Sequence, residues 1–147
     1  MHRVSTTITT EPIDPVAVGA AVSGPESGAM VLFTGVVRNL DHGRVVTGLE
    51  YQFHPDAARF LRSCCEEVAG QFGLAIAAVH RVGHLQVGDL ALVTAVSSPH
   101  REDAFTVSKL LVDRIKTGVP IWKHQTFLAG DGEWVGIPQP RPEATPK

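Results

Sequence analysis

Cationic side chains at both ends of one helical segment are the residues of this sequence best suited to chemistry. His100 and Arg101 open the segment, Lys116 closes it, and Lys123 follows shortly afterwards. The first turn of a helix offers free backbone N–H groups and a favourable dipole to an anion, so the opening pair suits a phosphate. Lysine amines in a partly buried pocket can hold an anion or transfer protons. The segment therefore predicts a site for a phosphorylated or otherwise anionic ligand.

Signals for the beginning and the end of a helix surround these cations. Ser98 suits the N-cap position and Pro99 suits the first helical position. Gly118 and Pro120 then end the helix, because neither residue continues it well. We therefore expect one uninterrupted helix between the two cationic ends.

The length of that helix separates its two cationic ends. His100 and Lys116 lie sixteen residues apart, which is about 24 Å along a helix that rises about 1.5 Å per residue. Side chains at this distance cannot both touch one small ligand within a single chain. If both act on the same molecule they come from different subunits, and a site at a two-fold interface is the economical hypothesis.

Periodic apolar patterns predict the elements that must position these residues. Two further helices run from Asp14 toward Val22 and from Pro55 toward Phe72. Seven strands are predicted at Val4–Thr10, Met30–Arg38, Val45–Phe53, Leu74–Val82, Asp89–Val96, Ile121–Phe127 and Glu133–Val135. The runs Met30–Arg38 and Val45–Phe53 are expected to form a hairpin, and Gly35 indicates a bulge or a close backbone approach in the first of them.

This order of elements predicts an α+β fold with three helices packed against a mostly antiparallel sheet. Residues 1–136 are expected to form a single domain, since 147 residues with 44% hydrophobic content suit one core. Residues 137–147 are rich in proline and polar side chains and are predicted to be a flexible tail.

Charge and hydropathy exclude several classes of partner. A formal net charge of −2 gives no overall positive field for nucleic acid, so affinity for anions must come from a local cluster. No apolar run is long enough to span a bilayer, and the N-terminus carries no basic-then-apolar leader. We therefore expect a cytoplasmic protein that binds neither nucleic acid nor a membrane.

Neither the cysteines nor the histidines predict a metal or redox site. Cys64 and Cys65 are adjacent in a predicted helix, so they form no CxxC pair and at most one faces the core. His80 and His84 have a spacing of four, but Gly83 lies between them and no further ligand type completes a set. We expect no metal and no cofactor.

Four motifs occur in register along the chain. They are FTGVVRN at 33–39, HRVGHLQVGD at 80–89, SSPHREDAF at 97–105 and IKTGVPIWKHQ at 115–125, with EWV following. In this order they resemble the large, catalytic subunit of molybdopterin synthase, and the similarity runs from about residue 28 to residue 136. The resemblance implies an α/β-hammerhead fold and a homodimer of this chain within a heterotetramer.

The resemblance also implies an activity in molybdenum cofactor biosynthesis. Such subunits convert cyclic pyranopterin monophosphate to molybdopterin by installing two dithiolene sulfurs. The sulfur arrives as a thiocarboxylate on the C-terminal Gly-Gly of a small ubiquitin-like carrier. A sulfurtransferase of this kind needs no cysteine of its own, which agrees with the unremarkable Cys64-Cys65 pair.

Carried over motif by motif, the resemblance assigns roles to individual residues. Lys116 and Lys123 would be catalytic, as acid/base groups or as electrostatic clamps. Arg38, His100 and Arg101 would bind the phosphate and pterin edges of the substrate, since guanidinium groups suit bidentate contact with phosphate. The whole substrate-binding set implied by the motifs is Val36, Val37, Arg38, His100, Arg101, Lys116, Lys123, His124 and Gln125.

Three of these residues, at two places in the chain, depart from the family pattern. Val36 stands where a lysine is often found, and His124-Gln125 stands where a basic residue is often followed by a glutamate. Gln125 can donate and accept hydrogen bonds but cannot act as a carboxylate base. A mechanism that needs a glutamate at this position would fail in this protein, whereas one that relies on two lysines would not.

Two other functions fit part of the same residue set. A non-catalytic module that binds a phosphorylated metabolite would use Arg38, His100 and Arg101 but would not need Lys116 or Lys123. A cyclic phosphate hydrolase would use His100 as an acid or nucleophile and would turn over its substrate without any carrier.

Overall fold

The computed structural model of the protein describes residues 3–136. The helices of this part are α1 (Pro15–Ala20), α2 (Ala57–Phe72) and α3 (Arg101–Gly118). Its strands are β1 (Val4–Thr9), β2 (Ala29–Val36), β3 (Leu40–Asp41), β4 (Arg44–Phe53), β5 (Ala75–Arg81), β6 (Gly83–Leu85), β7 (Leu90–Ser98), β8 (Ile121–Phe127) and β9 (Gly132–Gly136). The segment predicted as a flexible tail lies outside the described residues.

A four-stranded sheet in the order β1-β5-β7-β2 carries all three helices. β1 pairs with β5 in parallel, whereas the β5–β7 and β7–β2 pairs are antiparallel. The amphipathic faces of α2 and α3 cover one side of the sheet, where Leu61, Leu111 and Val96 are fully buried. Val18 and Val22 pack against the opposite side, so β7 is buried on both faces. The predicted α+β class with three helices is confirmed.

A second sheet in the order β3-β4-β8-β9 forms the rest of the molecule, and β6 also pairs with β4. A small core cluster of Val37, Leu49, Leu85 and Ala91 joins this sheet to the first one. The end of β2 is further tied to the turn before β7, since the backbone N–H of Val37 donates to the carbonyl of Asp89 at 3.0 Å. These contacts hold the two sheets in a defined relation to each other.

The predicted hairpin between Met30–Arg38 and Val45–Phe53 is wrong. β2 pairs with β7, with Ala29 opposite Ser98, whereas β4 pairs with β8 in the other sheet. Two alternating apolar runs indicate strands, but the pattern does not say which strands are neighbours. A short β3–β4 hairpin replaces the predicted one, and its turn uses a left-handed backbone at His42 (φ 51°) and Gly43 (φ 78°). The predicted bulge is present, as a register shift between Gly35 and Val36.

Two local predictions also need correction. No strand is predicted between Leu74–Val82 and Asp89–Val96, but Gly83–Leu85 forms β6 against β4. α3 begins at Arg101 rather than at Pro99, and His100 takes the N-cap position. Ser98 ends β7 instead of capping the helix, in keeping with the extended backbone favoured before a proline. Its hydroxyl still accepts a hydrogen bond from the backbone N–H of His100 at 3.2 Å.

Candidate active site

A pocket of about 230 Å³ opens where α3 ends and β8 begins. α3 stops at Gly118, and Val119, Pro120 and Ile121 turn the chain back into the second sheet. The turn brings Lys116 from the helix and Lys123 from the strand to the walls of one pocket. The remaining lining residues come from both sheets, from the last turns of α3 and from the turn that follows it: Tyr51, His80, Leu92, Ile115, Val119, Ile121, Trp122 and Val135.

Strand pairing sets the direction of the Lys123 side chain. β8 lies between β4 and β9, so that Lys123 is opposite Tyr51 on one side and Val135 on the other. Successive side chains of a strand alternate between faces, which places Lys123 and Gln125 on the same face of the sheet. Lys123 is half-buried there, while Lys116 in the last turn of α3 is exposed at the pocket edge.

The surroundings of Lys123 favour loss of its proton. Burial lowers the pKa of the Lys123 amine, and the nearby positive charge of Lys116 lowers it further. Asp41 and Glu133 act in the opposite direction on the same pKa, and Arg38 adds to the lowering. A lysine with a lowered pKa can act as a general base and as a general acid closer to neutral pH than a solvated one.

His80 and Tyr51 form the uncharged side of the pocket. The His80 ring is buried, and its Nδ1 lies 2.7 Å from the carbonyl oxygen of Arg81. A carbonyl can only accept, so Nδ1 carries the proton and Nε2 is left as an acceptor. Burial lowers the pKa of His80 to about 4 and raises that of Tyr51 to about 12, so both are neutral at pH 7. The two rings meet edge to face with centroids 4.9 Å apart.

The sequence did not identify His80 and Tyr51 as parts of the site. The spacing of His80 and His84 raises only the question of a metal ligand, and Tyr51 falls within a predicted strand. The signal that was available is the position of His80 at the start of the second motif, HRVGHLQVGD. Nothing in the local pattern around Tyr51 distinguishes it from a packing residue.

A carboxylate that the sequence did not point to links two of the predicted residues. The Asp41 side chain accepts a hydrogen bond from the Gln125 amide at 2.8 Å and pairs with the Arg38 guanidinium at 3.3 Å. Gln125 is buried, while the Arg38 side chain is 75% exposed. The hydrogen bond from Gln125 lowers the pKa of Asp41, and the charges of His42, Arg38 and Lys123 assist. The structure thus brings Arg38, Gln125 and Lys123 into one neighbourhood around Asp41.

His100 and Arg101 lie at the other end of α3, away from the pocket, and both are exposed. The helix is continuous from Arg101 to Gly118, so the separation expected from the sequence is present in the structure. Gly28 helps to define this end, because a Cβ at that position would collide with the carbonyl oxygen of Pro99. Within one chain these two cations do not share a site with Lys116.

Three further residues of the predicted binding set are not among the residues that line the pocket. Val36 is partly exposed at the bulged end of β2. The Val37 side chain is buried in the cluster between the sheets, where it anchors the residue that follows, Arg38. The His124 ring packs 4.9 Å from that of Trp134, on the sheet face opposite Lys123. Substrate contact by these three residues stays a prediction.

The cysteines are inert in this fold. Cys65 is fully buried and Cys64 is half-buried, as expected for adjacent helical residues. Burial raises the pKa of the Cys65 thiol to about 12, and it also raises that of Cys64. Almost no thiolate forms at neutral pH, and the thiolate is the reactive species.

Residues 3–136 contain neither a membrane-spanning candidate nor a cluster of metal ligands. Each of their helices is too short or too polar to cross a bilayer. In the same range, no three His, Cys, Asp or Glu side chains converge as a metal site would require.

Comparison with known proteins gives a consistent result. A family model described as MoaE protein matches residues 8–118. The chain is 42% identical to molybdopterin synthase catalytic subunit 1 of Mycobacterium tuberculosis, with 88% of each chain covered. It is 40% identical to the molybdopterin synthase catalytic subunit of Staphylococcus carnosus, over 88% of this chain and 87% of the relative. A crystal structure of molybdopterin synthase from Staphylococcus aureus superimposes with a TM-score of 0.82 at 37% identity, covering 88% of this chain and 95% of that one.

Proposed function

Because this chain belongs to the MoaE protein family, we propose that it is the catalytic subunit of a molybdopterin synthase. The resemblance first seen in the four motifs is confirmed by relatives with that name. The reaction would transfer sulfur from the C-terminal thiocarboxylate of a small ubiquitin-like carrier to cyclic pyranopterin monophosphate, and would form the dithiolene of molybdopterin.

The observation that carries this proposal is the convergence of two lysines from separate elements on one pocket. Lys116 ends α3, Lys123 lies in β8, and both line the space of about 230 Å³ between them. Sulfur transfer from an acyl carrier develops negative charge on oxygen and sulfur and requires proton transfers. A fixed cation meets the first need, and a lysine of lowered pKa meets the second.

The surroundings of the two lysines support a different role for each. Lys123 is half-buried with a lowered pKa, so it is the group that accepts and returns a proton. Lys116 is exposed at the pocket edge, where it stabilises negative charge on the acyl intermediate or on the substrate phosphate. Arg38 lies close enough to affect Lys123 and would bind the anionic part of the substrate.

His100 and Arg101 would bind the same substrate from a second copy of the chain. They lie at the N-terminal end of a continuous α3, whose free N–H groups favour a phosphate. One chain cannot bring them to its own pocket, whereas a two-fold dimer can bring them to the pocket of the partner. The proposed assembly is a homodimer with one sulfur carrier at each end, acting in the cytoplasm without a cofactor.

The experiment that tests the proposal measures molybdopterin formation from cyclic pyranopterin monophosphate and a thiocarboxylated carrier. The native chain should turn over, and Lys116→Ala should lose activity while it still binds the carrier. Lys109→Ala is the matched control, because Lys109 is an exposed lysine of the same helix that pairs with Asp113. No turnover by the native chain despite carrier binding would favour the metabolite-binding module, and turnover without a carrier would favour the hydrolase.

A further inference from the structure

Asp41 occupies an unusual position beside the pocket. It ends the two-residue strand β3, directly before the tight turn at His42 and Gly43. Its carboxylate has contacts on both oxygens: Gln125 donates to Oδ2 at 2.8 Å, and Arg38 lies 3.3 Å from Oδ1. His42 Nδ1 is 3.6 Å from Oδ1 as well. Only 17% of the side chain is exposed, so its orientation is well defined.

Gln125 acts as the anchor of this arrangement. The residue is 4% exposed, and β8 holds it opposite Leu49 of β4 and Glu133 of β9. A buried amide that donates to a carboxylate makes a charge-assisted hydrogen bond, which is stronger than one between neutral groups. That bond is the largest cause of the lowered pKa of Asp41. Asp41 is therefore an anion throughout the pH range in which an enzyme works.

Charged groups from several elements surround Lys123. Two cations lower its pKa and two carboxylates raise it: Lys116 of α3, Arg38 after β2, Asp41 of β3 and Glu133 of β9. The other ionisable groups of the pocket, Tyr51 and His80, are neutral at pH 7. Of the two carboxylates, Asp41 has the larger effect on the Lys123 pKa.

We propose that Asp41, oriented by the buried Gln125 amide, is a positioning residue that aims Arg38 at the substrate and places a permanent negative charge beside Lys123. This inference rests on the proposed function. A purely structural role does not explain the contact with Arg38, since the Arg38 side chain is 75% exposed and exposed ion pairs add little stability. The contact with Asp41 instead restricts the conformations of the long, solvated Arg38 side chain next to the pocket.

The hydrogen bond between positions 41 and 125 permits an exchange experiment. Asp41→Asn keeps the shape of the side chain and still accepts a hydrogen bond from Gln125, but it removes the negative charge. Asp41→Asn/Gln125→Glu restores the charge on the other side of the same hydrogen bond, with donor and acceptor reversed. Asp113→Asn is the matched control, because it removes one carboxylate from the exposed Lys109 pair on α3.

Two measurements separate positioning from folding. The first is the pH titration of Lys123 by NMR in chains labelled at the lysine side chain, which is practicable because the sequence contains four lysines. The second is the pH profile of molybdopterin formation, with kcat and KM determined separately. The NMR titration requires no activity, and turnover by the native chain tests the proposed function independently.

For Asp41→Asn we expect the Lys123 titration and the matching limb of the rate profile to move to lower pH. We also expect KM for the pterin substrate to rise about tenfold, because Arg38 loses a charge-assisted contact. The double variant should return both quantities most of the way to the native values, and Asp113→Asn should leave both unchanged.

The inference is overturned if the native chain turns over and Asp41→Asn has an unchanged Lys123 titration and KM. It is equally overturned if the double variant, folded by circular dichroism, behaves no better than Asp41→Asn. A native chain without turnover would instead contradict the proposed function, and the titration would still report whether Asp41 controls Lys123.

Discussion

The two ends of α3 both present cations, but they present them in different environments. At the C-terminal end, Lys116 meets the half-buried Lys123 across a pocket whose other walls are mainly apolar or aromatic. At the N-terminal end, His100 and Arg101 are exposed beside the free backbone groups of the first turn. Burial lowers the pKa of Lys123.

This difference separates two tasks that cationic side chains perform. A desolvated lysine changes its protonation state readily, so the pocket end is suited to proton transfer. At the exposed end, the free N–H groups of the first helical turn and the side chains beside them can hold an anion, so this end is suited to binding phosphate. If the two ends divide the work in this way, substitutions at each end have different kinetic consequences.

The largest effect is expected from Lys123→Arg. An arginine keeps the positive charge but stays protonated at any pH used for assays. The rate of molybdopterin formation should fall by about 10²–10⁴-fold, which is the usual contribution of a general acid or base. Lys116→Arg should retain far more activity, because the charge alone is needed there. Equal losses in the two variants would show that the pocket lysines are not divided into a proton carrier and a clamp.

The exclusion of water from the pocket end can be tested through the pKa of His80. Its pKa is about 4 in the folded chain and 6.5 ordinarily, so between these values the unfolded chain binds a proton that the folded chain does not. The stability that is present above pH 6.5 should therefore fall progressively as the pH approaches 4, by about 3 kcal/mol from this residue. Denaturant unfolding at several pH values measures it. His80→Phe should flatten this dependence, and a variant with the full native slope would argue that His80 is hydrated.

A smaller effect is expected at the exposed end. Arg101→Ala should raise KM for the pterin substrate about tenfold with little change in kcat, because a solvated cation contributes binding and not proton transfer. The free energy of unfolding should change by less than about 0.5 kcal/mol, as is usual for an exposed position. Steady-state kinetics over a range of salt concentrations checks the assignment. A loss in kcat with KM unchanged would place Arg101 in the chemistry instead.

Cooperation of the two ends across a dimer can be tested by mixing two variant chains. A Lys116→Ala chain is mixed with a His100→Ala/Arg101→Ala chain, under conditions that allow subunits to exchange. Half of the dimers become mixed, and each mixed dimer has one intact site of two. At a pterin concentration far below the KM of the separate His100→Ala/Arg101→Ala chain, about a quarter of the native activity should therefore return. Native mass spectrometry verifies the exchange. If mixed dimers form and activity stays at the level of the separate variants, each site belongs to a single chain.

Local sequence determined much of this protein. The three predicted helices and seven predicted strands lie close to the positions that the structure gives them. The signals for these elements act over only a few residues: apolar periodicity, the N-cap at Asp14 and the left-handed backbone at Gly73. The two cationic ends of α3 and their separation followed from the same signals. The motifs sufficed to place the chain in its family.

Tertiary structure alone decided which strands pair, which side chains are in contact and which side chains are buried. The pairing of β2 with β7, the contact of Asp41 with Gln125 and the burial of His80 join residues distant in sequence. The pattern within a strand does not depend on which strand lies beside it, so it cannot name that neighbour. The lowered pKa of Lys123 likewise depends on desolvation and on charges contributed by four other segments, which come together only when the chain has folded.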